Sequence, residues 1–217
     1  MDTRITDFHI HSKYSHDSLM SPESILKQAK KMGLERIAIT DHGTIRGSIK
    51  AKEIAKNFDI EVVIGSEIKT DWGDIIGLYL NDEIKEVEWE KVISDIRSQG
   101  GISVLPHPYR GRRVKLDYLA KKVDFIEIWN SRSSYEENKK AQLLANSLRK
   151  KILCGSDAHC LPEIGLVKVL ENLNQYTVQE PFTLKQTINW NIKKSRIIHL
   201  FKKIGSLENL FYVEKSN

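Results

Sequence analysis

Cysteine is scarce in this chain. Cys154 and Cys160 are its only two, too few for a disulfide framework, and neither sits in a Cys-x-x-Cys pair that would mark a redox or zinc-ribbon site. Long apolar runs are missing as well. None approaches the roughly 18 residues that span a bilayer, which excludes a transmembrane reading. No Gly-x-Gly-x-x-Gly turn follows the first strand pattern, which weighs against a dinucleotide-binding, doubly wound sheet. The chain enters a strand pattern directly and shows no signal-peptide pattern, so the expected location is cytoplasmic.

What is present is ordinary for a globular protein. Hydrophobic residues make up 40% and charged residues 29% of 217 positions, enough for one full-sized core, and a single domain over 1–217 is expected. The net charge of +5 permits an anionic substrate or nucleic acid. A modest lysine excess is common on soluble proteins, so charge alone does not favour nucleic acid.

Short β-branched runs alternate with longer helical stretches. Strand patterns occupy 4–11, 36–40, 61–68, 74–80, 102–108, 125–130 and 151–159. Between them, Ser21-Pro22 opens a helix that Gly33 closes. Further helices are expected over 46–57, over 86–99 up to Gly100-Gly101, from about Asp117, and over 134–150. Strand, helix, strand with short joints predicts parallel pairing through right-handed crossovers. Nearly all-apolar strands predict burial on both faces, and hence a barrel rather than an open sheet.

The polar residues gather at the strand ends: His9 and His11, then Asp41 and His42, Glu67, Asp74 at the start of the next strand, His107, Glu127 and Asn130, and finally Asp157 and His159. Five of the seven histidines lie at such ends, where an α/β barrel places its chemistry. On a strand, residues two apart share a face, so His9 and His11 project together. Alone, that pair reads equally as half a metal site or as two surface histidines. Around one mouth, imidazoles and carboxylates suit zinc, manganese or iron. A glutamate such as Glu67 can bridge two ions, and two ions about 3.5–4 Å apart clamp the attacking and leaving oxygens of a displacement.

The segments DFHIHSKYSHDSLMSP, AITDHGTI, GSEIKTDWGDIIGLYL, SVLPHPYRG, FIEIWN and CGSDAH, in that order, resemble the PHP (polymerase and histidinol phosphatase) family over about residues 5–165. The resemblance implies a distorted (βα)7 TIM-like barrel; the remainder, about 166–217, is read separately as a helical closing segment. The resemblance also implies a metal-dependent phosphoesterase with two or three divalent ions, in which a metal-bound water, as hydroxide, attacks the phosphate ester. Carried over by motif, one ion falls to His9, His11, Glu67 and Asp157. A second shares Glu67 and adds His107, and a third takes Asp17, His42 and His159. Two positions depart from the family pattern. Asp74 stands where the family usually has histidine, which shifts preference toward harder ions. His16 precedes Asp17 as an extra residue, either a proton donor to the leaving group or a loop residue.

Three divalent ions against Asp17, Glu67, Asp74 and Asp157 leave a site near about +2, which attracts a phosphate dianion. Arg110, Arg112 and Arg113 follow His107 and either grip phosphate oxygens or form a solvated basic loop; Arg110 is the choice if only one acts. Asp7 and Asp41 are read as carboxylates that orient metal-bound imidazoles. Glu127 and Asn130 are left between substrate contact and fold stability. Cys154 reads as core and Trp72 as a packed aromatic. His199 belongs to no motif. The basic amphipathic stretch 188–205 reads as a helix packed over the barrel. The expected partner is a small phosphorylated substrate, a phosphomonoester or nucleotide, without a membrane. The competing readings are a nuclease acting on nucleic-acid 3′ ends and a non-catalytic binding module.

Overall fold

A computed structural model describes residues 4–111, 115–172 and 175–179. In chain order these form β1 (Arg4–Ile10), α1 (Pro22–Lys31), β2 (Arg36–Ile39), α2 (Arg46–Ile54), β3 (Glu61–Thr70), β4 (Gly73–Leu78), α3 (Trp89–Ser98), β5 (Ile102–Leu105), α4 (Leu116–Lys122), β6 (Phe125–Asn130), α5 (Tyr135–Ser147), β7 (Lys151–Gly155), β8 (Lys168–Asn172) and β9 (Gln175–Gln179). The helix starts follow from the sequence. Ser21 caps α1 by accepting from Ser24 N at 3.1 Å, with Pro22 in the first turn. Ser134 and Glu137 form a reciprocal capping box on α5, which satisfies two amide donors that the first turn would leave unpaired.

The first seven strands make a nearly closed barrel in the order β7-β6-β5-β4-β3-β2-β1, with β8 and β9 continuing beyond β1. The barrel is not all parallel, as the strand-helix alternation predicted. β4 runs antiparallel to both β3 and β5. Only Asp71 and Trp72 join β3 to β4, and a joint that short cannot make the crossover that parallel strands need. The reversal has a functional consequence: the start of β4, where Asp74 stands, lies at the same end as the C-termini of the parallel strands. Closure comes from β1 against the segment after β7, where His11 N donates to Ala158 O at 2.9 Å and Ala158 N to His9 O at 3.3 Å.

The core is aliphatic, with Ile10, Ile37, Ile39, Ile75, Ile76, Leu78, Leu105, Ile126 and Cys154 all buried. The expected helical closing segment over 166–217 begins differently. Lys168–Asn172 and Gln175–Gln179 form an antiparallel hairpin, and β8 pairs with the start of β1. β1 needs a partner there because it meets the β7 side only near its C-terminal end. The rest of that segment, including the 188–205 stretch and His199, lies outside the described residues. Among the described residues, no helix is long and apolar enough to cross a membrane.

Candidate metal centre

β1 places His9 and His11 on one face, and both are fully buried. His9 Nδ1 lies 2.9 Å from Glu127 Oε1. An ionised carboxylate only accepts, so Nδ1 carries the proton and Nε2 turns a lone pair inward. His11 Nδ1 lies 3.1 Å from Ser15 Oγ, whose own hydroxyl donates to Asp41 Oδ1 at 3.1 Å. Ser15 therefore accepts from His11 Nδ1, and Nε2 is again the inward lone pair. The two Nε2 atoms stand 3.1 Å apart. With both rings neutral, two lone pairs at that distance would repel; a proton or a metal cation between or beside them removes the repulsion.

The carboxylates complete the same cage. Glu67 Oε2 is 3.4 Å from His9 Nε2 and 3.3 Å from His11 Nε2, and Asp157 Oδ1 is 3.5 and 3.3 Å from the same two atoms. A tetrahedral shell with ligands at about 2.1 Å has edges of about 3.4 Å. These five separations are close to the edges of such a shell. Glu67 turns its other oxygen, Oε1, to His107 Nε2 at 3.0 Å, so its two oxygens face two clusters. A third group forms around Asp17, whose Oδ2 is 2.8 Å from His159 Nε2 and 3.5 Å from His42 Nε2. His159 Nδ1 donates to Asp157 O at 2.8 Å, which leaves Nε2 as an acceptor facing a carboxylate. Asp17 Oδ1 is buried with no hydrogen-bond partner. These residues fit divalent cations.

All nine ligand residues expected from the sequence lie in mutually close groups: His9 and His11 with Glu67; His9 and His107 with Asp157; Glu67 and His107 with Asp74; and His11 with Asp17, His42 and His159. His107 and Asp157 hold positive φ values of 29° and 54°. Such backbone conformations are uncommon without glycine and collect at functional sites.

The titration behaviour fits a cation sink. Burial works against charge on His9, but Asp157, Glu127 and Glu67 outweigh it and raise its pKa well above the usual histidine range. His11 is likewise raised against burial, to about 9, by Asp157 and Glu67. Burial would raise Glu67 and Asp157; the surrounding imidazoles, and Arg110 for Asp157, hold both well below the carboxylate range. Burial, with His11 nearby, lowers His159 to about 4.

The supporting residues differ from expectation. Glu127, not Asp7, touches the His9 ring, and its Oε2 accepts from His107 N at 2.7 Å and Asn130 Nδ2 at 2.9 Å. Asp7 instead accepts backbone N–H bonds from Ser156 at 2.9 Å, Gly165 at 3.0 Å and His9 at 3.3 Å, and its burial raises its pKa to about 6. It ties the strand ends together. Asp41 reaches His11 only through Ser15, and it also holds Ser12 through N and Oγ at 2.6 Å each. Arg110 donates to Asn130 Oδ1 at 2.9 Å and to Asp157 Oδ2. Arg112 and Arg113 lie outside the described residues. Ser15 lies inside the first motif with no role expected of it; Arg132 had no motif to announce it, yet it lines the cavity of about 420 Å³ over the clusters, with Arg110. His16 is exposed, with its ring centroid 4.8 Å from that of His42.

A nearly closed α/β barrel whose mouth gathers imidazoles and carboxylates able to hold several cations defines the class of this protein. The PHP domain family model matches residues 7–194, and the chain belongs to that family. An uncharacterized protein of Methanocaldococcus jannaschii is 30% identical over 214 residues, 93% of this chain and 84% of the relative. A second from the same organism is 51% identical over 114 residues, 48% of this chain and 67% of the relative. Among solved structures, a two-domain protein from Bacteroides vulgatus containing a predicted PHP-like metal-dependent phosphoesterase superposes with a TM-score of 0.67 at 20% identity, covering 78% of this chain and 58% of that one. This chain thus spans little more than half of that protein, and at such identity the likeness is one of fold.

Proposed function

We propose that this chain is a metal-dependent phosphoesterase that hydrolyses a small phosphate ester, a phosphomonoester or nucleotide, with two or three divalent ions such as Zn2+, Mn2+ or Fe2+. One observation carries the reading: four buried ligand atoms from His9, His11, Glu67 and Asp157, five of whose six separations are 3.1–3.5 Å, close to the edges of a coordination shell. In this reading those four would hold one ion, Glu67 with His107 and Asp74 would hold a second, and Asp17, His42 and His159 would hold a third. When bound, such ions polarise phosphoryl oxygens and supply a hydrolytic nucleophile near neutral pH.

The chain's own residues supply the rest. Glu127 and the Asp41–Ser15 pair hold His9 and His11 in the tautomers that offer Nε2. Arg110 and Arg132, beside the cavity, present guanidinium donors to the oxygens of a phosphate. His16, exposed at the mouth, donates the proton that the leaving oxygen requires.

The test pairs metal analysis of protein purified without chelator with turnover of p-nitrophenyl phosphate, with and without added Mn2+. Two or three ions per chain and metal-dependent turnover are expected, with turnover lost in His9→Ala and Glu67→Ala while circular dichroism stays unchanged. Full activity in both variants would overturn the mechanism.

A further inference from the structure

A second cavity of about 420 Å³ lies outside the metal centre and shares none of its ligands. Its wall is aromatic. Trp72, in the β3–β4 joint, stacks on Trp89 at the start of α3, with ring centroids 4.8 Å apart at 27°. Tyr118 of α4 meets both edge-on, at 5.9 and 5.8 Å. Among the described residues, the rest of the lining is Asp71, Glu88, Glu90 and Lys115, three carboxylates and one ammonium.

Two features give this pocket a chemistry. First, Lys115 Nζ sits 5.2 Å from the Trp72 centroid, within the range of a cation–π contact. Its backbone holds the left-handed conformation at φ 47°, uncommon for a residue with a side chain. The outer face of Trp72 therefore already carries an alkylammonium, supplied by the chain itself. Lys122 places a second ammonium 5.2 Å from the Tyr118 ring. Second, the carboxylates disfavour anions. Glu88 is paired with Lys91 at 2.9 Å and Asp71 accepts from Trp89 N at 2.9 Å; among the described lining residues Asp71 and Glu90 face the one charge of Lys115, with Lys122 in the adjoining pocket beside Glu90. This lining, with more carboxylates than ammonium groups among its described residues, favours an amine over a phosphate. Trp72 and Trp89 are already stacked together, so no flat base can insert between them.

We propose that this aromatic and acidic pocket binds a small organic ammonium, an alkylamine or polyamine, whose charged end takes the place of the Lys115 ammonium over Trp72. Lys115 is then a tethered competitor. Its effective concentration, about millimolar for a short flexible tether, weakens a free ligand of comparable intrinsic affinity.

The proposal predicts an unusual sign. Putrescine is titrated at constant ionic strength into the full chain while intrinsic tryptophan fluorescence is read, with NaCl as the control for charge screening. Saturable quenching is expected in the wild type. Lys115→Met, which keeps length and packing but removes the charge, binds putrescine several-fold more tightly. Trp72→Leu loses the saturable response, and a thermal melt checks that it folds. Mn2+ binding stays at the wild-type level in both variants, because neither side chain is part of the metal clusters. Equal or weaker putrescine binding in Lys115→Met would overturn the proposal. Saturation by inorganic phosphate in place of putrescine would overturn it as well. Neither result would bear on the metal centre.

Discussion

Replacing Glu127 by glutamine tests whether the centre is organised from outside its ligands. The carboxylate is 1% exposed. It accepts from His9 Nδ1 through one oxygen, and from His107 N and Asn130 Nδ2 through the other. Glutamine keeps one acceptor oxygen and gains an amide donor. If the amide faces His9, the imidazole must shift its proton to Nε2 and withdraw the inward lone pair. If it faces His107 and Asn130, two donors meet a third. Loss of such an orienting partner costs about 10–100-fold in metal affinity, or about 1.4–2.7 kcal/mol. Calorimetric titration of the chelator-treated protein with Mn2+ measures it. Asp7→Asn is the matched control: Asp7 accepts backbone N–H groups and the Ser156 side chain and touches no imidazole ring, so it should lower the melting temperature with or without Mn2+ and leave affinity near wild type. If Glu127→Gln binds Mn2+ like the wild type, the inward Nε2 lone pairs are not set by Glu127 and the argument fails.

Other outcomes follow from the same geometry. His11 has a folded-state pKa of about 9 against 6.5 unfolded, so the metal-free protein holds this stabilisation in full below pH 6.5. It loses about 3 kcal/mol as pH rises to about 9, while the Mn2+-loaded protein, with the proton displaced, stays flat; paired melts across pH 6.5–9 decide this, and a flat metal-free profile would refute it. Gly155→Ala sets a methyl group against His9 Cβ and Glu127 Oε1. Overpacking of about 1–3 kcal/mol should lower the melting temperature by about 2–12 °C and weaken Mn2+ binding with it; an unchanged melt would show that β1 yields freely. Arg110→Met removes the cation bonded to Asp157. It should tighten Mn2+ binding and raise KM for p-nitrophenyl phosphate by about tenfold, the loss of one charged hydrogen bond of about 1.5 kcal/mol or more; the two effects moving in the same direction would remove Arg110 from phosphate binding.

Much of this molecule is local and could be read along the chain. Ser21-Pro22 and Ser134 start their helices by capping donors within three residues, and the imidazoles and carboxylates end strands because strands of one hand deliver their termini to one mouth. The nine expected ligand residues come together for that reason. The antiparallel turn of β4 was readable in principle from the two-residue joint Asp71-Trp72, but the helix-strand rhythm on either side concealed it.

What remained invisible depends on distance in sequence. Glu127 is 118 residues from the histidine ring it orients, and Asp7, two residues from that histidine, holds Ser156 and Gly165 instead. Proximity along a strand selects a face; it does not select a hydrogen-bond partner across the barrel. Arg132 reaches the cavity from beyond β6 with no spacing pattern to mark it. The aromatic pocket draws on three separate elements, and the hairpin on β1 fills an edge that exists only once the barrel has nearly closed. The sequence by itself determined the strands and helices of the barrel, though not the β8–β9 hairpin, and which residue types stand at the mouth. Only the tertiary structure decided which of them touch, because hydrogen bonds and ligand spacings are set at the ångström scale by packing among segments far apart in the chain.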